Sequence, residues 1–546
     1  MKINVKKMFT FIFMICFLFT GCSYSGNKDT SSINIDEKNS SRSNDDSSKK
    51  TVMEAMDTYS DGYARLDFDE RYEKIKNEYP DKTILIWADC YGMRYEEDVN
   101  KYLTSEKNSD YVICFKDYSE KQDALMNEDG TWHGSYTEEL EKDLADNTQI
   151  DIISTMNRAY GYDSYVNAYK YYVSKGWFEP LEDYLSETEI GKKLKDSVSD
   201  NYWEGLKYNG KIYGFDNDFS SLVSSLGFDL NADVLEKQGL DVNELKGSYD
   251  SVLEKLLQYC KKNELKLSCG KLDNLNQYLD YDFLDSFLYI DENGKAKNIY
   301  ENDKVKKLFS LLEKGYSDDC IQVGTPANLT NYLGEMATAS LGAYSRNGVK
   351  TNDFYGLSVS SKEKYSGTCS YQVYPEKFDT IHSSSIASGV SSTSEHKDMA
   401  FDALATIMTD EKLNSIIFYG PDYKEVNGCV EVDDKDENYY YGSTNLDNML
   451  VRKPLKSCQS PDMNKNIKDA LDNAAISDYA GFYFDTSKVG KQILAVEDIV
   501  SSVNENFPTE KYNNAEKYLE HLNKQLYDAG LQDILDEANR QLEAYK

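Results

Sequence analysis

Aromatic and polar side chains that follow short apolar segments are the residues of this chain best suited to ligand chemistry. The sequence contains 45 Tyr but only 4 Trp and 8 Pro. A phenol ring combines an apolar face with a hydroxyl group, so it suits polar ligands that also carry apolar faces, although AT-rich coding bias raises Tyr content too. The candidates that directly follow predicted strands are Trp87, Tyr91, Asn157, Arg158, Tyr160 and Tyr162.

Each of these candidates also has a purely structural interpretation. Trp87 and Tyr91 end the first predicted strand, where they either face a ligand or pack as core. Residues 157–162 either line a cleft or form a helix N-terminus packed on its neighbour. The three successive Tyr at 439–441 are either an exposed edge of a cleft or a half-buried strand.

Several other chemistries have no support in the sequence. The four His are far apart, and neither HExxH nor paired CxxC occurs, so we expect no zinc site. A DxDxDG loop is absent as well, although this leaves a bound calcium ion open. Neither GxGxxG nor GxxxxGK[ST] is present, and we predict no cofactor. With 61 Lys and Arg against 95 Asp and Glu, the net charge of -34 argues against a nucleic-acid partner.

The cysteines carry little information. Eight lie beyond Cys22, and Cys260 and Cys269 are the nearest candidate pair for a disulfide bond. Because a chain of this size does not need cross-links, single buried thiols are the alternative.

The first 22 residues have the pattern of an export signal. Lys2, Lys6 and Lys7 precede an apolar segment at residues 8–20, which is shorter than the roughly 20 residues of a membrane-spanning helix. Residues 19–22 (FTGC) resemble the lipobox of bacterial lipoproteins, in which the Cys receives a diacylglyceryl group. Phe19 stands where Leu is usual, and an ordinary signal peptide is the alternative. The resemblance implies lipidation at Cys22.

Residues 23–55 are rich in Ser, Asn, Asp and Lys and have almost nothing to bury. Such a composition predicts a flexible tether.

Beyond the tether, short apolar segments alternate with amphipathic ones. We predict buried strands at residues 82–88, 111–115 and 149–154, and a helix at residues 96–103. Gly530 is expected to end a helix in the tail. This alternation predicts mostly parallel sheets, with ligands at the carboxyl ends of the strands.

The order of segments from residue 82 to residue 545 resembles the bacterial extracellular solute-binding proteins of family 1, the receptors of ABC sugar importers. Residues 82–91 (KTILIWADCY) resemble their first strand, and residues 151–184 resemble a strand end and helix followed by "GW..PL.DY". The further matching segments are residues 208–218 (YNGKIYGFDND, with Phe215-Asp216 in place of the usual Pro), 307–315, 336–347, 384–428, and 480–488 with 529–545, which resemble the C-terminal extension of a Gram-positive lipoprotein subgroup.

The resemblance implies an α/β fold of the type II periplasmic-binding-protein kind, in which two lobes with mixed, mostly parallel sheets flanked by helices are joined by a hinge. The implied organisation is a signal peptide at residues 1–21, a lipid-anchored tether at 22–75, lobe one at 76–218 and 376–445, and lobe two at 219–375, completed by a helical segment at 446–546.

It also extends the set of candidate ligand residues. Asp216, Asn217 and Asp218 lie at the implied hinge crossing, where they either bind hydroxyl groups or cap turns. Tyr344 and Arg346 lie where maltodextrin-type relatives often carry stacking Trp residues. The guanidinium groups of Arg158 and Arg346 also suit the carboxylate of a uronate sugar, or they form structural salt bridges. Phe482 and Tyr483 match the subgroup's own motif, and core packing is their alternative.

The function implied is that of a monomeric receptor without catalytic activity. It would bind a small solute, predicted to be an oligosaccharide, and deliver it to the permease subunits of an ABC transporter. Its place would be the outer face of the cytoplasmic membrane, held there by the N-terminal lipid alone. Two alternatives are a surface sensor or adhesion lipoprotein with the same fold, and a secreted glycoside hydrolase with two carboxylates about 5–10 Å apart. Peptides and other polar solutes also stay open.

Overall fold

The structure, a computed structural model of the chain, describes residues 68–88, 95–117, 136–155, 168–216, 225–231, 244–245, 247–269, 278–323, 332–339, 358–359, 370–373, 380–382, 387–432, 450–454, 461–503 and 514–546, with the single residues 234, 237, 239, 275, 446, 448 and 456.

The strands are β1 Thr83–Ala88, β2 Val112–Asp117, β3 Ile152–Ser154, β4 Ser225–Asn231, β5 Lys266–Cys269, β6 Asp282–Asp285, β7 Leu288–Ile290, β8 Ala296–Asn298, β9 Ile321–Val323, β10 Tyr332–Ala339, β11 Ser358–Val359, β12 Ser370–Val373, β13 Thr380–Ile381, β14 Ser388–Val390, β15 Lys424–Val426, β16 Cys429–Glu431 and β17 Ala475–Ile476.

The α-helices are α1 Phe68–Glu78, α2 Glu96–Ser105, α3 Tyr136–Ala145, α4 Ala168–Ser174, α5 Glu182–Glu187, α6 Glu189–Asp196, α7 Asp200–Leu206, α8 Tyr249–Asn263, α9 Asp303–Ser317, α10 Lys397–Thr409, α11 Glu411–Tyr419, α12 Met463–Asn473, α13 Gly490–Ser501, α14 Ala515–Asp528 and α15 Leu531–Tyr545. A 3-10 helix spans Ile299–Glu301.

Lobe one is built on a four-stranded sheet with the order β14-β3-β1-β2. Strands β1, β2 and β3 are parallel, and β14 is antiparallel to β3. All six side chains of β1 are buried, as its continuous apolar sequence TILIWA requires of a strand covered on both faces. The predicted strands and the helix after β1 are confirmed here.

A buried aspartate ties β3 to β1. Asp151 is fully buried, and its carboxylate accepts hydrogen bonds from the backbone N–H of Leu85 (2.8 Å), the amide of Gln149 (2.7 Å) and the hydroxyl of Ser394 (2.6 Å). A buried carboxylate is tolerated when its oxygens are hydrogen-bonded in this way. Asp151 therefore fixes the start of β3 within the sheet.

Lobe two contains a six-stranded sheet with the order β11-β12-β4-β10-β5-β9. Strands β10, β5 and β9 are parallel, whereas β4 and β12 run antiparallel to their neighbours. The helix α8 buries Val252, Leu256 and Cys260 along one face. The last helices pack in the same core, and Gly530 separates α14 from α15 in the left-handed conformation (φ 107°). The helix end predicted at Gly530 is confirmed.

Two hydrophobic cores define the lobes, and the chain alternates between them. The first core takes side chains from residues 84–215 and 381–474, and the second takes them from residues 228–333 and 482–542. Helix α12 packs in the first core through residues such as Ile467 and Leu471. The second segment of lobe one therefore extends to residue 474, whereas the resemblance implied that it ends at residue 445. The amphipathic pattern of α12 identifies a buried face, but it does not say which core that face meets.

Two further expectations concern cysteine and membrane insertion. Cys260 is a free, fully buried thiol, so the suggested bridge to Cys269 is absent and the alternative of a single buried thiol holds for it.

Within the residues that the structure describes, no helix is both long enough and apolar enough to cross a membrane.

Candidate functional site

The carboxyl ends of the lobe-one strands meet at a single edge. Ala88 pairs with Asp117 on one side and with Ser154 on the other, so β1, β2 and β3 end at the same level. In a parallel sheet this edge is where ligands bind. The segments that contain Tyr91 and residues 157–162 leave from this edge, and their own structure lies outside the described residues.

Hydroxyl groups hold this edge together. The Ser388 hydroxyl donates to that of Ser154 (2.9 Å), and both side chains are fully buried. The Thr155 hydroxyl donates to the carbonyl oxygen of Ala387 (3.0 Å) and accepts from the Ala387 N–H (2.9 Å). These contacts join β3 to the segment that returns from lobe two, and so they position the edge.

The first crossing between the lobes begins at the same edge. Phe215 and Ser388 exchange two backbone hydrogen bonds of 2.8 Å. The next residue, Asp216, donates its N–H to the Tyr202 hydroxyl (2.8 Å), which in turn donates to the Asp216 carbonyl (2.5 Å). Burial, with a smaller contribution from the charge of Asp216, raises the pKa of Tyr202 well above its usual value, so the hydroxyl keeps its proton. The backbone at the start of the crossing is therefore held rigidly.

The lobe-two sheet presents a matching edge. Strand β10 ends at Ala339, which pairs with Ser225, the first residue of β4. Residues 217–224 connect Asp216 at the first edge to Ser225 at the second, and a chain of that length spans at most about 30 Å. Tyr344 and Arg346 follow β10 in the sequence, and their own structure lies outside the described residues.

The described residues include four of the candidates: Trp87, Asp216, Phe482 and Tyr483. Trp87 is fully buried within the core of lobe one, as in its structural interpretation. Asp216 is also fully buried, at the crossing. Their ligand-binding roles stay predictions. The predicted lipidation residue Cys22 lies outside the described residues. So do the remaining candidates: Tyr91, Asn157, Arg158, Tyr160, Tyr162, Asn217, Asp218, Tyr344, Arg346 and Tyr439–Tyr441.

Phe482 and Tyr483 lie at the boundary between the lobes. The Phe482 side chain is buried in the second core. The Tyr483 ring is half-buried and lies 6.2 Å from the ring of Tyr208 in lobe one. These residues and α15 line an open pocket of about 230 Å³. Arg540 on its wall donates a hydrogen bond to the carboxylate of Glu537 (2.8 Å).

A charged cluster at the hinge was not identified from the sequence. His382, directly after β13, lies 2.9 Å from Asp280 and 3.2 Å from Asp282, measured between ring nitrogens and carboxylate oxygens. Burial disfavours the charged imidazole, but hydrogen bonds and attraction from both carboxylates outweigh it and raise the pKa of His382 to about 9. Asp282 begins β6 and Asp280 lies two residues before it, but their partner His382 is about a hundred residues away in the sequence.

Another residue that the sequence did not indicate is Lys170 on α4. Its side chain is fully buried, and its ammonium donates to the carbonyl oxygens of Ala480 (2.5 Å) and Phe482 (2.6 Å). Burial lowers the pKa of Lys170 to about 7, and the carboxylate of Asp282 opposes part of this shift. From the sequence alone, a Lys among Tyr residues in a helix is expected to be exposed at the surface.

Within the described parts of the chain, no group of three or more His, Cys, Asp or Glu side chains is arranged to hold a metal ion. The described residues form two hydrophobic cores, with a charged cluster where the chain passes between them.

Comparison with protein families finds one match, to a domain of unknown function (DUF3502), over residues 478–546. That region begins in the last crossing and continues to the end of α15. No curated protein matches the chain.

Among solved structures, the chain is similar to the N-glycan transport solute-binding protein NgtS of Streptococcus pneumoniae, with a TM-score of 0.63 and 18% identity, over 85% of this chain and 99% of that one. Structures of the same protein in complex with Man1GlcNAc and Man5GlcNAc give TM-scores of 0.57 and 0.52 at the same identity and the same share of this chain, over 99% and 98% of theirs. This similarity confirms the predicted fold: two α/β lobes of the solute-binding-protein type.

Proposed function

We propose that this protein is an extracellular solute receptor that binds an oligosaccharide between its two lobes and delivers it to an ABC transporter permease. The observation that carries the proposal is the fold, which is similar to that of a glycan-transport solute-binding protein along almost the whole of that chain. The crossing at residues 216–225 links the carboxyl edge of the lobe-one sheet to that of the lobe-two sheet, which supports a ligand site between the lobes.

Binding in such a scaffold acts through closure. A ligand that touches both lobes only in the closed arrangement shifts the equilibrium towards that arrangement. The three passages of the chain between the lobes, at residues 216–225, 373–380 and 474–482, allow such a rotation without unfolding either core. Closure then provides the signal by which a permease distinguishes a loaded receptor from an empty one.

The chemistry of a sugar matches the predicted cleft residues. A pyranose has an apolar C–H face for the rings of residues such as Tyr91 and Tyr344, and a rim of hydroxyl groups for amides and carboxylates. One stacked ring contributes about 1 kcal/mol beyond its buried area, and one net hydrogen bond contributes about as much. Micromolar affinity corresponds to about 8 kcal/mol, so a few contacts of each kind are sufficient.

We further propose that Cys22 carries the lipid and that the receptor is held at the outer face of the cytoplasmic membrane. The apolar segment before Cys22 is too short to span a bilayer, and the polar tether after it separates the body from the surface. The net charge of -34 keeps that body away from anionic headgroups.

A thermal-shift screen tests the proposed function. The chain from Ser23 onward is heated with neutral oligosaccharides that include Man1GlcNAc and Man5GlcNAc, with uronate oligosaccharides, and with peptides. A ligand at 100 times its dissociation constant adds about 2.7 kcal/mol to the stability of the folded state, which raises the melting temperature visibly.

The outcomes separate the alternatives. Stabilisation by an oligosaccharide that is recovered intact after overnight incubation supports the receptor. Stabilisation by uronates alone would assign Arg158 and Arg346 to a carboxylate. Cleavage of the sugar would favour a hydrolase, and a shift with none of the compounds would contradict the receptor and favour a sensor or adhesion protein.

A further inference from the structure

The last crossing between the lobes, residues 474–482, includes a turn at residues 478–481 and ends in contact with both lobes. The side chains of Phe482 and Phe484 are buried in the core of lobe two. Between them, Tyr483 lies against Tyr208 of lobe one. Residues 482–484 thus form the boundary at which the lobes meet, and any rotation of one lobe against the other involves this segment.

Lobe one forms hydrogen bonds to the backbone of this segment. The ammonium of Lys170 reaches from α4 to the carbonyl oxygens of Ala480 and Phe482, at 2.5 Å and 2.6 Å. Lys170 is fully buried, and a buried ammonium is stable only where such acceptors are in place. Phe482 therefore has its carbonyl bound to lobe one while its ring is packed in lobe two.

Lobe two holds the same crossing a few residues earlier. The Ser477 hydroxyl donates to the carboxylate of Asp282, and His382 bridges Asp282 and Asp280. Immediately before this, the amide of Asn201 in lobe one donates to the carbonyl of Ala474 (2.9 Å). Attachments to the two lobes therefore alternate along residues 474–482, which prevents the segment from sliding as a whole.

We propose that Lys170 is a positioning residue for lobe closure, whose ammonium fixes the last crossing to lobe one and thereby sets the equilibrium between open and closed arrangements. The proposal rests on the proposed function only in its consequence for ligand affinity. With the crossing fixed, rotation is confined to a defined axis. Without it, the lobes sample a wider range of angles, and a smaller fraction of molecules is competent to close.

The charge of Lys170 gives this positioning role a pH signature. Among the described residues, Asp282 on β6 attracts the ammonium electrostatically, and Asp282 in turn interacts with His382 after β13 and with Tyr545 at the end of α15. Charge-assisted hydrogen bonds are roughly twice as strong as neutral ones. Because the pKa of Lys170 is about 7, its hydrogen bonds to the two carbonyls weaken as the pH rises from 6 to 8. His382 loses its proton only at higher pH, since its pKa is about 9.

The test measures the distance between the lobes without ligand. Spin labels are placed at two exposed positions, Lys193→Cys on lobe one and Lys517→Cys on lobe two, and the distance distribution is recorded by pulsed electron resonance at pH 6 and pH 8. Lys170→Met removes the donors and keeps the chain length. Lys175→Met, at an exposed position just after the same helix, is the matched control, and Lys170→Arg tests rescue by another cationic donor.

We expect the interlobe distance distribution of Lys170→Met to be at least 1.5 times as wide as that of the parent. The Lys175→Met control should match the parent, and Lys170→Arg should lie between the two. The parent broadens from pH 6 to pH 8, and Lys170→Met does not. If Lys170→Met fails to fold, the pH series of the parent decides alone. Equal distributions in folded parent and Lys170→Met, or a parent insensitive to pH, overturn the proposal.

Ligand affinity is the second readout. Calorimetry with Man5GlcNAc is expected to give a dissociation constant about tenfold higher for Lys170→Met than for the parent, in proportion to the lost fraction of competent molecules. If the parent does not bind this glycan, the proposed function loses support while the distance measurement still decides the role of Lys170.

Discussion

At the scale of single residues, the hinge combines two cations whose pKa values are shifted in opposite directions, the fully buried Lys170 and the partly buried His382. The His382 imidazolium is stabilised by Asp280 and Asp282, so folding raises its pKa above the ordinary value of 6.5. The Lys170 ammonium is bound mainly by neutral carbonyls, so burial lowers its pKa from the ordinary value of 10.5. The difference arises from the partners: two carboxylates compensate for lost hydration, whereas two carbonyls do so only in part.

The histidine predicts a loss of stability at alkaline pH. Since the folded protein binds the His382 proton more tightly than the unfolded chain, the stabilisation is complete below pH 6.5 and disappears as the pH rises through 9. The melting temperature of His382→Gln should therefore lie well below that of the parent at pH 6 and approach it at pH 9.5. The exposed His521→Gln is the control, and a gap that is constant with pH would contradict the prediction.

The lysine contributes with the opposite sign. Above pH 7 the unfolded chain holds the Lys170 proton and the folded protein does not, so this group alone makes stability rise between pH 7 and about 10.5. Comparison of parent and single variants at each pH separates the two groups, because every other titration cancels in the difference.

Tyr344 predicts a loss of binding without a loss of fold. If its ring stacks on a sugar, Tyr344→Ala weakens binding of the solute by at least several-fold, as expected when one stacking contact of about 1 kcal/mol is removed. Calorimetry measures the affinity, and a melting curve without ligand checks the fold. Tyr79→Ala, in the turn before β1, is the control. A melting temperature many degrees lower for Tyr344→Ala would instead identify the ring as part of the core.

At the scale of elements, the return of the chain to lobe one depends on a close approach of two backbones. Gly389 lies in β14, and a Cβ atom there would stand 2.3 Å from the Tyr213 carbonyl oxygen and 2.7 Å from the Phe178 ring. Residues 213–215 lead into the first crossing, so the absence of a side chain at Gly389 lets this segment lie directly against β14.

This close approach predicts that Gly389→Ala is destabilising by about 2 kcal/mol, the usual cost of overpacking a buried site. The fall is measured as a lower urea midpoint of the lobe-one transition. Gly490→Ala is the matched control, because a Cβ atom at Gly490 meets no atom within 4 Å. Equal midpoints for the two variants would show that β14 adjusts its position freely.

At the scale of the whole molecule, two separate hydrophobic cores are joined by a few crossings of the chain. The two cores share no strand of either main sheet, so each lobe is stabilised mostly by its own contacts. What connects them is a small set of crossings with the charged hinge between them.

The lipid anchor predicts a change of location. Cys22→Ala removes the thiol that would carry the diacylglyceryl group, so the protein should move from the membrane fraction into the medium, because no second anchor is predicted. Fractionation followed by immunodetection measures the distribution, and Cys90→Ala controls for the loss of a thiol elsewhere. Retention of the Cys22 variant in the membrane fraction would refute lipid anchoring.

The sequence by itself determined the class of fold and the nature of several elements. The apolar run of β1, the amphipathic faces of α8 and α15, and the stop at Gly530 follow from local composition and periodicity, which do not require knowledge of distant residues. The order of segments added the two-lobe architecture, and the candidate ligand residues followed from their positions after strands.

Only the tertiary structure decided which core receives α12 and which residues form the hinge. A helical face specifies burial but not its partner. Likewise, Lys170 and the carbonyl of Phe482 are more than three hundred residues apart in the sequence. Ser154 and Ser388 are more than two hundred residues apart. Contacts of that range depend on how the lobes are assembled, and no local pattern encodes them.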